Sequence, residues 1–140
     1  MNKKPYEFIE HTADVGIRVT GKDLKDLFKN AALALFEIIA EKIPAKAAGK
    51  KSLSIKESSQ NIEELFVNWL NDLLSLSAIH GVIFDHFSFR ALTPHSLEAV
   101  VSGVDIKKYR VNTEVKAATY HGLKIEQTAG GWKAEVIFDV

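Results

Sequence analysis

The segment "YEFIEHTADVGIRV", Tyr6 to Val19, sets two β-like runs around a polar knot of His11, Thr12, Ala13 and Asp14. In the second run Val15, Ile17 and Val19 alternate with Gly16, Arg18 and Thr20, the period of a strand with one buried face. Taken locally, Asp14 has two readings. It is a turn carboxylate bonded to its own backbone, the ordinary use of Asp between strands, or it is one wall of a site.

Working outward, Gly21 marks a turn and Asp23 is placed to cap a helix. Leu24, Leu27, Phe28, Ala31, Leu35 and Ile38 recur at helical spacing and give one apolar face. Pro44 ends that pattern, and "IPAKAAGKK" reads as an exposed basic loop. "SLSIKES" is a short strand with Leu53 and Ile55 on one face. In "SQNIEELF", Asn61 followed three residues later by Glu64 fits a capping box. Ile62, Leu65, Phe66, Trp69, Leu70, Leu73 and Leu76 then define the strongest helix of the chain, about 27 Å long to Ile79 at 1.5 Å per residue. After Gly81 the period changes to that of strands. "FDHFSFRAL" and "SLEAVVSGV" alternate around the turn "TPHS". "EVKAATYHGLKIEQT" reads as a strand kinked near His121–Gly122, and Ala129–Gly130–Gly131 turns it back into "WKAEVIFDV". Segregated strands and helices predict an α+β fold, a largely antiparallel sheet packed with two main helices, in a single domain spanning residues 1–140.

Composition excludes several functions. The 140 residues hold 18 basic and 18 acidic side chains, so no net charge draws the chain to nucleic acid or an anionic membrane. With no cysteine, there are no disulfides, thiolate metal sites or cysteine nucleophiles, which suits a reducing compartment. The start "MNKKPYEF" has no apolar core of a signal peptide, and no apolar run is long enough to span a bilayer. A soluble, cytoplasmic protein with no membrane association is the expectation. No G-x-S-x-G elbow and no Walker A sequence occurs. The basic residues lack the aromatic interleaving of a single-strand binder, so direct sequence-specific nucleic-acid binding is not expected.

The carboxylates are more informative. Asp139 lies in "EVIFDV", on the face of Ile137 and opposite Val136 and Phe138. Val140 closes the sequence and carries the α-carboxylate, so two anionic groups stand one residue apart. A third carboxylate folded beside them would make an all-oxygen cluster that must bind a cation or take up a proton. Such donors are hard and suit calcium or magnesium, not zinc. None of the five histidines forms a tight ligand spacing, although His11 and His121 each sit at a polar break between β-like segments.

Four blocks, in order, resemble the archease family: "EHTADVGIRV" (Glu10–Val19), "FVNWLNDLLSL" (Phe66–Leu76), "EVKAATYHGLKI" (Glu114–Ile125) and the ending "VIFDV". The chain departs from the family's pattern at Ser77 and Ala78, where relatives often carry acids. The resemblance implies a small non-catalytic protein cofactor of an RtcB-type RNA ligase, which joins 2′,3′-cyclic phosphate or 3′-phosphate ends to 5′-hydroxyl ends. Such a cofactor assists guanylylation and multiple turnover of the ligase, in tRNA splicing and RNA repair. It further implies a divalent cation, calcium in the familiar case, bound through Asp14, Asp139 and Val140. His11, Lys116 and His121 match motif positions, as supporting or partner-contacting residues. Two other readings stay open: a metal-dependent phosphoesterase using Asp14, Asp139 and His121, and a chaperone-like interaction module whose cation is structural.

Overall fold

Trp69 occupies the centre of the fold. It is fully buried on a helix, α2 (Ile62–His80), and its indole Nε1–H donates to the Phe28 carbonyl of a second helix, α1 (Leu24–Ile39), at 3.0 Å. The rings of Phe28, Phe87 and Phe89 stand 6.5, 6.0 and 5.1 Å from it, and Phe66 meets Phe28 edge-on at 5.1 Å. Tilted and edge-to-face pairs of this kind add to the stabilisation already supplied by area burial. The computed structural model describes residues 4–11, 14–42 and 50–140, without the side chains of Glu10, His11 and Lys42. The loop expected in "IPAKAAGKK" falls largely outside the described residues.

Around this core the strands form three antiparallel sheets. The four-stranded one runs in the order β1 (Tyr6–His11), β2 (Asp14–Gly21), β9 (Gly131–Asp139), β8 (Ala117–Thr128). The three-stranded one runs β4 (Lys51–Ser58), β6 (Ser96–Asp105), β5 (Val82–Leu92). Two short strands, β3 (Ala40–Lys42) and β7 (Tyr109–Val111), pair separately, and a 3-10 turn over Ile106–Lys108 precedes β7. The sequence pattern pointed to two main helices and antiparallel strands, and both are present. It gave no sign that the strands divide among three sheets. The chain order accounts for it in part: α1 carries the chain from β2 of the four-stranded sheet to β3 of the two-stranded one, whereas α2 links β4 and β5, the two outer strands of the three-stranded sheet.

The helix ends follow their sequence signals. Asp23 accepts from the Asp26 N–H at 2.9 Å, and Asn61 accepts from the Glu64 N–H at 2.9 Å, each satisfying a donor that the first turn leaves orphaned. Glu63 and Glu64 place negative charge at the positive end of α2. Buried Asn30 of α1 donates to the Thr20 carbonyl at 2.9 Å, fixing the helix to the end of β2. Ser77 of α2 donates to the Val82 carbonyl at 2.6 Å, fixing its far end to β5. No described helix is long and apolar enough to cross a membrane.

A partly buried carboxyl pair joins α2 to β4. Glu57 lies on the same strand face as buried Ile55, and Asp72 is half-buried on the helix. Burial, then the hydrogen bond to Glu57, then the Glu57 charge push the Asp72 carboxyl from its ordinary 3.8 to about 7. Between these pH values the folded chain holds a proton that the unfolded chain has released. This contribution to stability is therefore complete below pH 3.8 and is lost as pH rises to about 7. Asp72→Asn keeps a donor for Glu57 and removes the titration. We expect it to raise the melting temperature at pH 8 and to change it little at pH 4. Parallel melting-temperature profiles for the two proteins across pH 4–8 would contradict this.

Candidate functional site

One end of the four-stranded sheet gathers most of the residues singled out from sequence. The β1–β2 pairing sets His11 opposite Asp14, the β2–β9 pairing sets Asp14 opposite Asp139, and the β8–β9 pairing sets Asp139 opposite Ala117. The Lys116 N–H donates to the Asp139 carbonyl at 2.8 Å. Directly opposed residues of an antiparallel pair project from the same face. In β2 and β9 the inward positions are Ile17, Val19, Ala134, Val136 and Phe138, all buried. Asp14 and Asp139 therefore share the outer face, Asp14 half-buried and Asp139 exposed. The strand does not fray before Asp139; it is paired on both sides there.

Val140 follows, half-buried and packed against the core. Its side chain anchors the end of the chain beside the acid pair. Lys116 is exposed just before β8. His121 is exposed within the stretch of β8 where pairing to β9 is interrupted between Thr119 and Lys124. Gly122 in that stretch has φ of 62°, a left-handed conformation that glycine adopts without cost. The kink expected at His121–Gly122 is thus present. It removes His121 from the row formed by His11, Asp14, Asp139 and Ala117.

The electrostatics of this end differ from those of the rest of the face. Four residues along β2, Arg18 pairs with Glu7 of β1 and, at 2.8 Å, with Glu135 of β9; Lys124 of β8 extends the ladder to Glu135 at 3.9 Å. These charges satisfy one another. They lie about 13 Å along the strand from Asp14, beyond a physiological Debye length of about 8 Å, so they do little to neutralise the acid pair. Between ladder and acids lie Ile9, Gly16 and Ile137, which carry no charge. At the opposite end of β2 and β9, an open cavity of about 400 Å³ is lined by Pro5, Thr20, Lys22, Trp132 and Lys133 among others.

Asp14 and Asp139 bring two opposed carboxylates to this end of the sheet. That set fits a hard cation such as calcium, whose six to eight oxygen ligands leave positions for water or a partner protein. Among the described residues no three His, Asp or Glu side chains converge closely enough to hold a metal by themselves.

Two features escaped the sequence reading. Asn71 of α2 bonds both backbone groups of Ala118, accepting from its N–H at 2.8 Å and donating to its carbonyl at 3.3 Å. Asp72 beside it joins Glu57. The available signal was the adjacent polar pair inside the otherwise apolar "FVNWLNDLLSL".

Comparison with known proteins identifies the family. The archease protein family model matches residues 6–140. The chain is 37% identical to the protein archease of Methanosarcina acetivorans, covering 98% of this chain and 97% of that one. It is 34% identical to that of Pyrococcus abyssi, covering 98% and 99%. Its fold is similar to the solution structure of a Methanobacterium thermoautotrophicum protein, with a TM-score of 0.77, 32% identity, and coverage of 99% of this chain and 100% of the other. It is also similar to a Thermotoga maritima crystal structure described as an archease, possible chaperone, with a TM-score of 0.67, 25% identity, and coverage of 100% and 98%. Family model, sequence identity and near end-to-end coverage agree, and the chain belongs to the archease family.

Proposed function

We propose that this protein is a non-catalytic activator of an RtcB-type RNA ligase in tRNA splicing and RNA repair. It acts through a divalent cation held by Asp14, Asp139 and the Val140 carboxylate. The observation that carries the reading is the register pairing of Asp14 with Asp139 at an outward sheet end, in a chain of this family. When bound, the cation supplies a fixed positive charge between the two acids. Asp14 and Asp139 hold it from two adjacent strands. Val140 keeps the chain end in place by packing on the core. Lys116 stands beside this row; Lys116, His11 and His121 are the groups we assign to support or partner contact.

The mode of action is differential binding. An activator raises guanylylation only if it binds the guanylylation-competent ligase better than the other states. A pure ion pair to the ligase would lack directionality; a cation with open coordination positions can accept oxygen ligands from a partner. In this proposal the protein works in the cytoplasm beside its ligase. The test is RNA joining by limiting cognate ligase with excess substrate ends. Added protein should convert a reaction that stalls near one joining event per ligase into one that continues. Unchanged turnover at saturating protein sinks the proposal.

A further inference from the structure

We infer that Asn71 is a positioning residue for the cation site, acting through the first three residues of β8. This rests on the site proposed above. The stretch Ala117–Thr119 pairs with β9 opposite Asp139, Phe138 and Ile137. It is isolated along the chain. Residues 112–116 before it have no regular structure, and the register to β9 is broken after Thr119. On one side it is held by the β9 ladder and by the Thr119 hydroxyl, which donates to the Ile137 carbonyl at 2.8 Å. On its other side there is no further strand of this sheet among the described residues.

Asn71 takes the place of that strand. A side-chain amide presents an N–H donor and a carbonyl acceptor in the same plane, the pair that a neighbouring backbone would offer. Both reach the Ala118 backbone, and Ala118 is buried, so neither of its groups has ready access to water. Removing the amide leaves a buried donor and acceptor unsatisfied, a cost that favours fraying of a three-residue segment. Fraying there reaches the site directly. The Lys116 N–H bonded to the Asp139 carbonyl is the last clamp on that side of the chain end. With it gone, Asp139 and Val140 are held by β2 and core packing alone.

Asn68, one turn earlier on α2, provides the control. Its amide donates to the Ser59 hydroxyl at 3.3 Å, away from β8. Calcium is titrated into the unaltered protein, Asn71→Leu, Asn71→Asp and Asn68→Ala by calorimetry, and amide exchange is followed at Lys116 and Ala118. Asn71→Leu should weaken calcium binding about tenfold, the low end for groups supporting metal ligands, and speed exchange at Lys116. Asn71→Asp retains the acceptor for the Ala118 N–H and should fall between. Asn68→Ala should lose thermal stability with calcium affinity unchanged. Wild-type affinity in Asn71→Leu, or an equal loss in Asn68→Ala, overturns the positioning role while the cation site stands. No calcium binding by the unaltered protein removes the site itself, and this role with it.

Discussion

Replacing Asp14 and Asp139 together by Asn should reverse the sign of their contribution to stability according to whether calcium is present. In chelator, two carboxylates directly opposed across β2 and β9 repel each other, at roughly 0.2–1 kcal/mol for a cross-strand like-charge pair. The double variant should therefore melt at the same temperature as the unaltered protein or slightly above it. In calcium at a hundredfold excess over its dissociation constant, a cation bound only by the folded state adds about 2.7 kcal/mol, worth several degrees in a domain of this size. The unaltered protein should gain that increment, and the variant should gain none. Thermal melts of both proteins, with calcium and with chelator, make the comparison. A variant that is destabilised equally in both conditions would assign the two acids to structure alone.

The second large effect concerns the core. Trp69→Ala removes the residue on which both helices and β5 converge. Truncating a buried aromatic costs about 3–5 kcal/mol, because the vacated volume closes only in part. Loss of the indole hydrogen bond to the Phe28 carbonyl adds little, since that carbonyl lies within α1 and keeps its helical donor. A domain of ordinary stability has about 5–15 kcal/mol in total, so this variant should unfold at much lower denaturant. Phe89→Leu, at the edge of the same cluster and half-buried, should cost far less. Equal midpoints for the two variants in urea would contradict the placement of Trp69 at the centre.

Several elements were legible because they repeat a period over enough residues. The sixteen residues of α1 and nineteen of α2 give clear helical stripes, and their caps Asp23 and Asn61 are where the sequence puts them. The alternation of Val15, Ile17 and Val19 correctly gives the buried face of β2, with its partly covered end at Val15. The chain "DIKKYRVNT" was not readable as a strand, because β7 is only three residues long and three residues carry no period. The division into three sheets was hidden for a different reason. Pairing partners are set by strands far apart in the chain, as β2 with β9 and β3 with β7, and no local pattern records that.

The same distinction applies to the site. Asp14 by itself was a turn residue as readily as a ligand, and only the pairing of β2 with the far end of the chain sets it against Asp139. The family blocks pointed to both acids before any geometry did. Asn71 shows the opposite case. It sits inside a quoted block, yet its role depends on Ala118 standing across from it with two unsatisfied backbone groups, which no helical pattern reveals. Asp72 and Glu57 are alike in this respect, since a carboxyl pair between helix and strand is invisible until the two elements pack.

The central claim is that the acid end of the four-stranded sheet activates a ligase through a cation. The most direct measurement is the rate at which GTP guanylylates a cognate RtcB-type ligase, with the unaltered protein or the Asp14→Asn, Asp139→Asn double variant, in calcium. The unaltered protein should accelerate guanylylation, while the folded double variant leaves the rate at that of ligase alone. Equal acceleration by both proteins would contradict the account.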